Sequence, residues 1–165
     1  MASFFDIVSL TPQTYRRHQY WMDQALAIAQ KAGEQGEVPV GAVIVDAAGQ
    51  VIATAANRKE RDRNPTAHAE ILAIQEASKK LQTWNLKDCT LYVTLEPCPM
   101  CAGAIIHARL GLLVYGADDP KTGAIQTVLN LPDSAASNHR LSVLAGVQES
   151  ACREQLQAWF ASLRS

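Results

Sequence analysis

The chain has 165 residues, 48% of them hydrophobic and 19% charged, with a formal net charge of −1. That length suits one compact domain, and the composition is that of an ordinary globular protein. Near-neutral charge excludes a protein that coats nucleic acid through bulk basicity, and no apolar run is long enough to span a bilayer.

Met1–Leu10 is apolar in places (Phe4, Phe5, Ile7, Val8) but has no basic n-region and no small-residue cleavage site, so no signal peptide is expected. Residues 1–17 read as a partly disordered N-terminal extension, and residues 18–165 as the working domain. Between Tyr20 and Gly33 the positions Trp21, Ala25, Ile28, Ala29 and Ala32 share one helical face, and Gly33 and Gly36 end the helix. Val40–Val45 is a continuous apolar run, as a buried strand is. Asp46–Gly49 is a turn, and Val51–Ala55 returns as a hairpin partner.

Asn57–Asn64 is polar and charged and reads as a loop. Pro65-Thr66 opens a second helix with the expected apolar face Ala67, Ile71, Ile74 and Leu81. Thr90–Leu95 is a strand, broken by Pro97 and Pro99. Met100–Ala108 is a third helix and Leu112–Tyr115 a further strand. Residues 118–140 are loop-rich. A short strand over Leu141–Leu144 and a helix over Ser150–Ser162 close the chain. This alternation predicts an α/β fold, a three-layer α/β/α sandwich around a central mixed sheet of about five strands. The strand order is not fixed by the pattern.

Two short segments carry chemistry: His68-Ala69-Glu70 and Pro97-Cys98-Pro99-Met100-Cys101. Cys98 and Cys101 are three apart at a helix start, where free N–H groups and the helix dipole favour the thiolates that zinc needs. Pro97 and Pro99 cost little there, because first-turn amides have no intrahelical partner. His68 can supply a third ligand. A structural zinc site takes four protein ligands, whereas a catalytic one keeps three and leaves a place for water. The candidates for a fourth are poor: His107 lies about 9 Å further along its helix, and Cys89 and Cys152 are isolated. Three ligands and one open position point to zinc-assisted hydrolysis, since zinc lowers the pKa of a water it holds to about 7. Glu70 is then the proton shuttle. In a regular helix residues two apart point about 200° away from each other, so His68 and Glu70 share a site only if His68 stands at the helix start. Four cysteines without a secretory signal suit a reducing, cytoplasmic compartment. His18 and His107 read as structural.

The pair of segments resembles the cytidine-deaminase superfamily, whose H-x-E…P-C-x-x-C pattern marks zinc nucleobase deaminases. The stretches Glu37–Ala42, Asn57-Arg58, Pro65–Glu70, Thr90–Cys98, Cys101–Ala104, Lys121–Ala124 and Asn138–Arg140 look like those of TadA-type tRNA adenosine deaminases. The likeness runs over roughly residues 18 to 160. It implies conversion of adenosine to inosine at the wobble position of the tRNA anticodon loop, by a homodimer with one Zn2+ per subunit and no organic cofactor. Carried over, His68, Cys98 and Cys101 bind the metal and Glu70 moves protons. Asn57 bonds the flipped base, Val38 and Pro39 line its pocket, and Lys121, Asn138, His139 and Arg140 meet the anticodon loop. RNA reading of this kind uses splayed single-stranded bases. The chain departs from the family in its last residues, Trp159–Ser165, which lack a basic tail, and in the acidic pair Asp118-Asp119.

Two other functions fit parts of this pattern. One is a deaminase of free guanine or cytidine, since guanine deaminases share the Cys98–Cys101 style. The other is a zinc-stabilised binding module without activity, which a fourth protein ligand would favour.

Overall fold

The computed structural model describes residues 2–165. Its elements in chain order are β1 (Ser3–Phe5), a 3-10 turn (Ile7–Ser9), α1 (Pro12–Glu34), β2 (Gly41–Val45), β3 (Val51–Ala56), α2 (Ala69–Leu81), β4 (Thr90–Leu95), α3 (Pro99–His107), β5 (Leu112–Ala117), β6 (Ser142–Ala145) and α4 (Glu149–Ser162). The sheet order is β1-β6-β5-β4-β2-β3. β1, β6, β5 and β4 run parallel to one another, while β2 pairs antiparallel with both β4 and β3. The sheet is therefore mixed and the α/β class is as expected, with six strands rather than about five.

The additional strand is β1. Residues expected to lie in an extension pair with β6, Ser3 opposite Ser142 and Phe5 opposite Leu144. Three residues give no periodic signal, so nothing in the sequence separates such an edge strand from a loose end. α1 likewise begins at Pro12, ahead of Tyr20. Thr11 caps it by accepting from Thr14 N at 3.2 Å, and Pro12 stands in the first turn. The boundary drawn between residues 17 and 18 thus falls inside α1.

α1 and α4 cover one face of the sheet, and α2 and α3 the other. On the first face Met22, Ala25, Tyr92, Val114, Leu144 and Cys152 form one cluster. On the second Ala69, Ala73, Ala77, Ala102, Ile105 and Leu91 belong to the larger core. The two helix stripes differ from the periodic expectation. α1 buries His18 and Met22 with Ala25, Ala29 and Ala32, leaving Trp21 and Ile28 half-buried. α2 buries Ala69, Ala73 and Ala77, leaving Ile71 and Ile74 half-buried and Leu81 exposed. In both helices small residues face the strands, because a methyl group lets a helix axis approach the sheet more closely than a branched chain. His18, buried on the first face, shares a 2.8 Å hydrogen bond with the Tyr92 hydroxyl, which makes it structural.

Close approach is tightest at Gly41, at the start of β2. A Cβ there would strike the Ala25 carbonyl and lie 2.8 Å from Ala29 N, both backbone atoms of α1. Backbone cannot swing aside as a side-chain end can. Gly41→Ala is therefore expected to lower stability by about 3 kcal/mol, a fall in Tm of about 6–12 °C for a domain of this size, measured by thermal unfolding against the unaltered chain.

Candidate active site

Two helices start at the same end of the sheet. β4 delivers the chain to Cys98, which caps α3 with an extended backbone (φ −71°, ψ 173°), and Pro99 follows in the first turn. Cys101 lies one turn inside α3 and is buried. Across from it His68 caps α2, also extended (φ −79°, ψ 151°), and the helix proper begins at Ala69 rather than at Pro65-Thr66. His68 is thus outside the helix and Glu70 is its second residue, so the two need not point 200° apart. The His68 side chain does not cap α2. Asn57 does so from β3's end: its Oδ1 accepts from Ala69 N at 2.9 Å, and its Nδ2 donates to the Val38 carbonyl at 3.1 Å.

His68 Nδ1 lies 3.7 Å from Cys98 Sγ and 3.5 Å from Cys101 Sγ. The three donor atoms fall within 4.8 Å of one another. Donors held by a tetrahedral zinc ion at about 2.3 Å for sulfur and about 2.05 Å for nitrogen stand about 3.6 Å apart. The donor set and its spacing therefore fit zinc. Among the described residues no other His, Cys, Asp or Glu joins the set, and His107, Cys89 and Cys152 stay outside it.

The titratable groups at this point are mutually perturbed. Hydrogen bonding from Cys101, then from His68, holds the Cys98 thiol down to about 4 against the opposing effect of burial. Cys101 is pushed up, first by its bond to Cys98 and then by burial. The Cys98 hydrogen bond raises the His68 imidazole. Glu70 is 4% exposed, and burial pushes its carboxyl up to about 7. A carboxyl near neutrality can both take and return a proton at physiological pH.

These groups open onto a cleft of about 250 Å3, lined by Val38, Asn57, His68, Glu70 and Cys98, with Asp119 and Thr122 on the opposite rim. The other expected contacts divide. Pro39 is buried and faces a neighbouring depression beside Trp159 rather than the cleft. Lys121 lines an adjoining groove with Arg153 and Phe160 that shares Val38 and Asp119 with the cleft. Asn138, His139 and Arg140 are not brought to the cleft of their own chain. They precede β6 at the end of the sheet where β4 begins, and β4 ends at the site about 17 Å away at about 3.3 Å per residue. There His139 Nε2 meets the Leu110 carbonyl at 2.7 Å and Arg140 Nε donates to Ser3 Oγ at 3.2 Å.

Two residues of the site carried no role in the sequence pattern: Glu37 and Glu96, 3% and 1% exposed, both lining the cleft. Each is a lone charge beside an apolar strand, and that oddity was the available signal.

Comparison with known proteins accords with this geometry. Residues 16–163 match the MafB19-like deaminase family. The tRNA-specific adenosine deaminase of Bacillus subtilis is 49% identical over 88% of this chain and 90% of its own length, and that of Haemophilus influenzae 47% identical over 87% and 83%. A solved structure from studies of A-to-I editing by tRNA:A34 deaminases superposes with a TM-score of 0.80 at 44% identity, covering 82% of this chain and 98% of that one. The guanine deaminase of Nitrosomonas europaea superposes with a TM-score of 0.74 at 25% identity, over 95% and 97%. The chain is therefore an enzyme of the MafB19-like deaminase family, and the tRNA-specific adenosine deaminases are relatives it matches at nearly half identity.

Proposed function

We propose that the protein hydrolyses the amino group of adenosine at the wobble position of a tRNA anticodon loop, giving inosine and ammonia, with one zinc ion per subunit of a cytoplasmic homodimer. The observation that carries this reading is the three-donor set beside a buried carboxyl at the floor of a cleft, with no fourth protein ligand among the described residues. A catalytic zinc site has that composition, and a structural one does not. The relatives named for tRNA deamination, at 47–49% identity, support the substrate class. No helix is long and apolar enough to cross a membrane.

Zinc held by His68, Cys98 and Cys101 would supply a water acidified to near neutrality. Glu70 takes one proton from the attacking water and gives it to the purine ring nitrogen beside C6; it then takes the second proton from the oxygen now on C6 and gives it to the amine, which leaves as ammonia when the C6–N bond breaks. Burial suits it to both transfers, since it pushes the carboxyl up to about 7, near physiological pH. An adenosine flipped out of the loop presents its edge to the cleft. Asn57 has two partners already, the Ala69 amide and the Val38 carbonyl, and these fix its amide with one N–H left for the base. Val38 offers the apolar contact. Lys121 lines the adjoining groove and in this reading meets a phosphate of the strand. Asn138, His139 and Arg140 have no part in this reading within one chain.

Three outcomes follow. An anticodon stem-loop RNA with adenosine at the wobble position gains inosine when incubated with the zinc-loaded enzyme; deamination of free guanine with that RNA untouched would assign the protein to the guanine class instead. Glu70→Ala keeps its zinc and its fold but loses about 10²–10⁴-fold in turnover, and loss of bound zinc in that variant would make Glu70 a ligand. Cys98→Ala loses the metal, and a full zinc complement by elemental analysis would remove Cys98 from the ligand set.

A further inference from the structure

Between β5 and β6 the chain runs from Asp118 to Leu131 as turns, with no helix or strand. A segment of this kind normally leaves its amides to water. Here four of them converge on one buried side chain. Glu96 Oε1 accepts from Ile125 N at 3.1 Å, Gln126 N at 2.9 Å and Thr127 N at 3.0 Å. Its Oε2 accepts from Asp119 N at 3.0 Å and from the Thr127 hydroxyl. Five donors fill the lone pairs of a carboxylate, which offers about four acceptor positions. Glu96 stands two residues from Cys98, and its acceptor positions are all taken by this one segment.

The segment is also fitted to this carboxylate. Gly123 is buried, and a Cβ there would strike the Glu96 carboxylate and lie 2.6 Å from the Asp119 carbonyl. The main chain fastens the same residues a second time, with Ala124 N donating to the Pro97 carbonyl at 2.9 Å. Asp119 then shapes the tip, accepting from Lys121 N at 2.9 Å and Thr122 N at 3.3 Å. Asp119 and Thr122 form the cleft rim facing Asn57, and Lys121 opens the adjoining groove. One residue thus joins the cysteine-bearing segment to the rim across which a substrate must pass.

We propose that Glu96 is a positioning residue for substrate entry: its carboxylate holds residues 119–127 at a fixed distance from the Cys98–Cys101 segment and so sets the width of the cleft. Glu37 makes the analogous hold on the facing rim, accepting from Glu60 N at 3.2 Å and Arg61 N at 2.7 Å. The kinetic part of this inference rests on the proposed RNA activity; the placement of the rim does not.

The test uses Glu96→Gln in the zinc-loaded, full-length enzyme. The variant keeps the shape but turns an NH2 group toward amide donors that need an acceptor. Hydrogen exchange at the amides of Ile125, Gln126 and Thr127 is expected to accelerate, while exchange at residues 60 and 61 stays unchanged and zinc content stays full. On the stem-loop RNA, KM is expected to rise about tenfold with kcat within about threefold, the split that separates binding from chemistry. Thr127→Val, which removes one donor and leaves the carboxylate, gives a smaller change in the same direction and carries the test if Glu96→Gln does not fold. Unchanged exchange and unchanged KM in folded variants overturn the proposal, and so does loss of zinc in both, which would tie Glu96 to the metal segment alone. If the unaltered enzyme leaves the RNA untouched, the functional reading fails while the exchange result still decides the placement of the rim.

Discussion

The start of α2 at Ala69, one residue after His68, is the constraint on which the site depends. Had the helix begun at Pro65-Thr66, His68 and Glu70 would both be helical and would diverge by about 200°. With His68 extended at the cap, its ring turns toward the thiols while Glu70 rises from the first turn on the same side. That arrangement leaves α2 without a cap from its own cap residue, and an uncapped helix start loses roughly 1 kcal/mol. Asn57 supplies the missing acceptor from the end of β3. Its other bond, to the Val38 carbonyl, ties the same amide to the segment entering β2. His68 is thereby released from local structural duty, and the orientation of α2 is referred to the hairpin rather than to its own loop.

The second half of the ligand set is built by a parallel device. Cys98 is extended at the cap of α3, and Pro99 removes an amide that would otherwise lack a partner. Two helix starts then aim their positive ends at one point, where the bond from Cys101, and then that from His68, lowers the Cys98 thiol to about 4. Both α2 and α3 lie on one face of the sheet, so the site forms where that layer begins. The opposite layer, α1 and α4, reaches the cleft region only at its margin, through the Gly36–Val40 connection and Trp159.

The convergence of His68, Cys98 and Cys101, with Glu70 buried beside them, was legible because their residue types are rare in that spacing, and because the cap argument needs no tertiary information. The class of fold was legible from alternation. What failed to show in the sequence shares a physical cause. Periodicity reports size as well as burial, so α2 seemed to bury Ile71, Ile74 and Leu81, whereas contact with the strands selects Ala69, Ala73 and Ala77. β1 is too short to have a period and exists only through its pairing with β6. Pro39 and the Asn138–Arg140 stretch are adjacent in pattern to site residues, but the register of β4, β5 and β6 puts that stretch at the other end of the sheet.

Three buried carboxylates line this one cleft, and their hydrogen bonds divide them by task. A carboxylate out of water must find donors or give up its charge. Glu96 finds five, four of them amides of a segment with no other regular structure, and Glu37 finds two on the facing rim. Such groups are committed to the loops from whose amides they accept. Glu70 has the first-turn backbone of α2 and the thiol of Cys101 as neighbours, but no loop hung from it, and its response to burial is a raised proton affinity rather than a network. It can change charge without loosening the walls around it. One cleft thus holds two kinds of carboxylate, two that fasten loops through their acceptor bonds and one whose burial shows as a raised pKa.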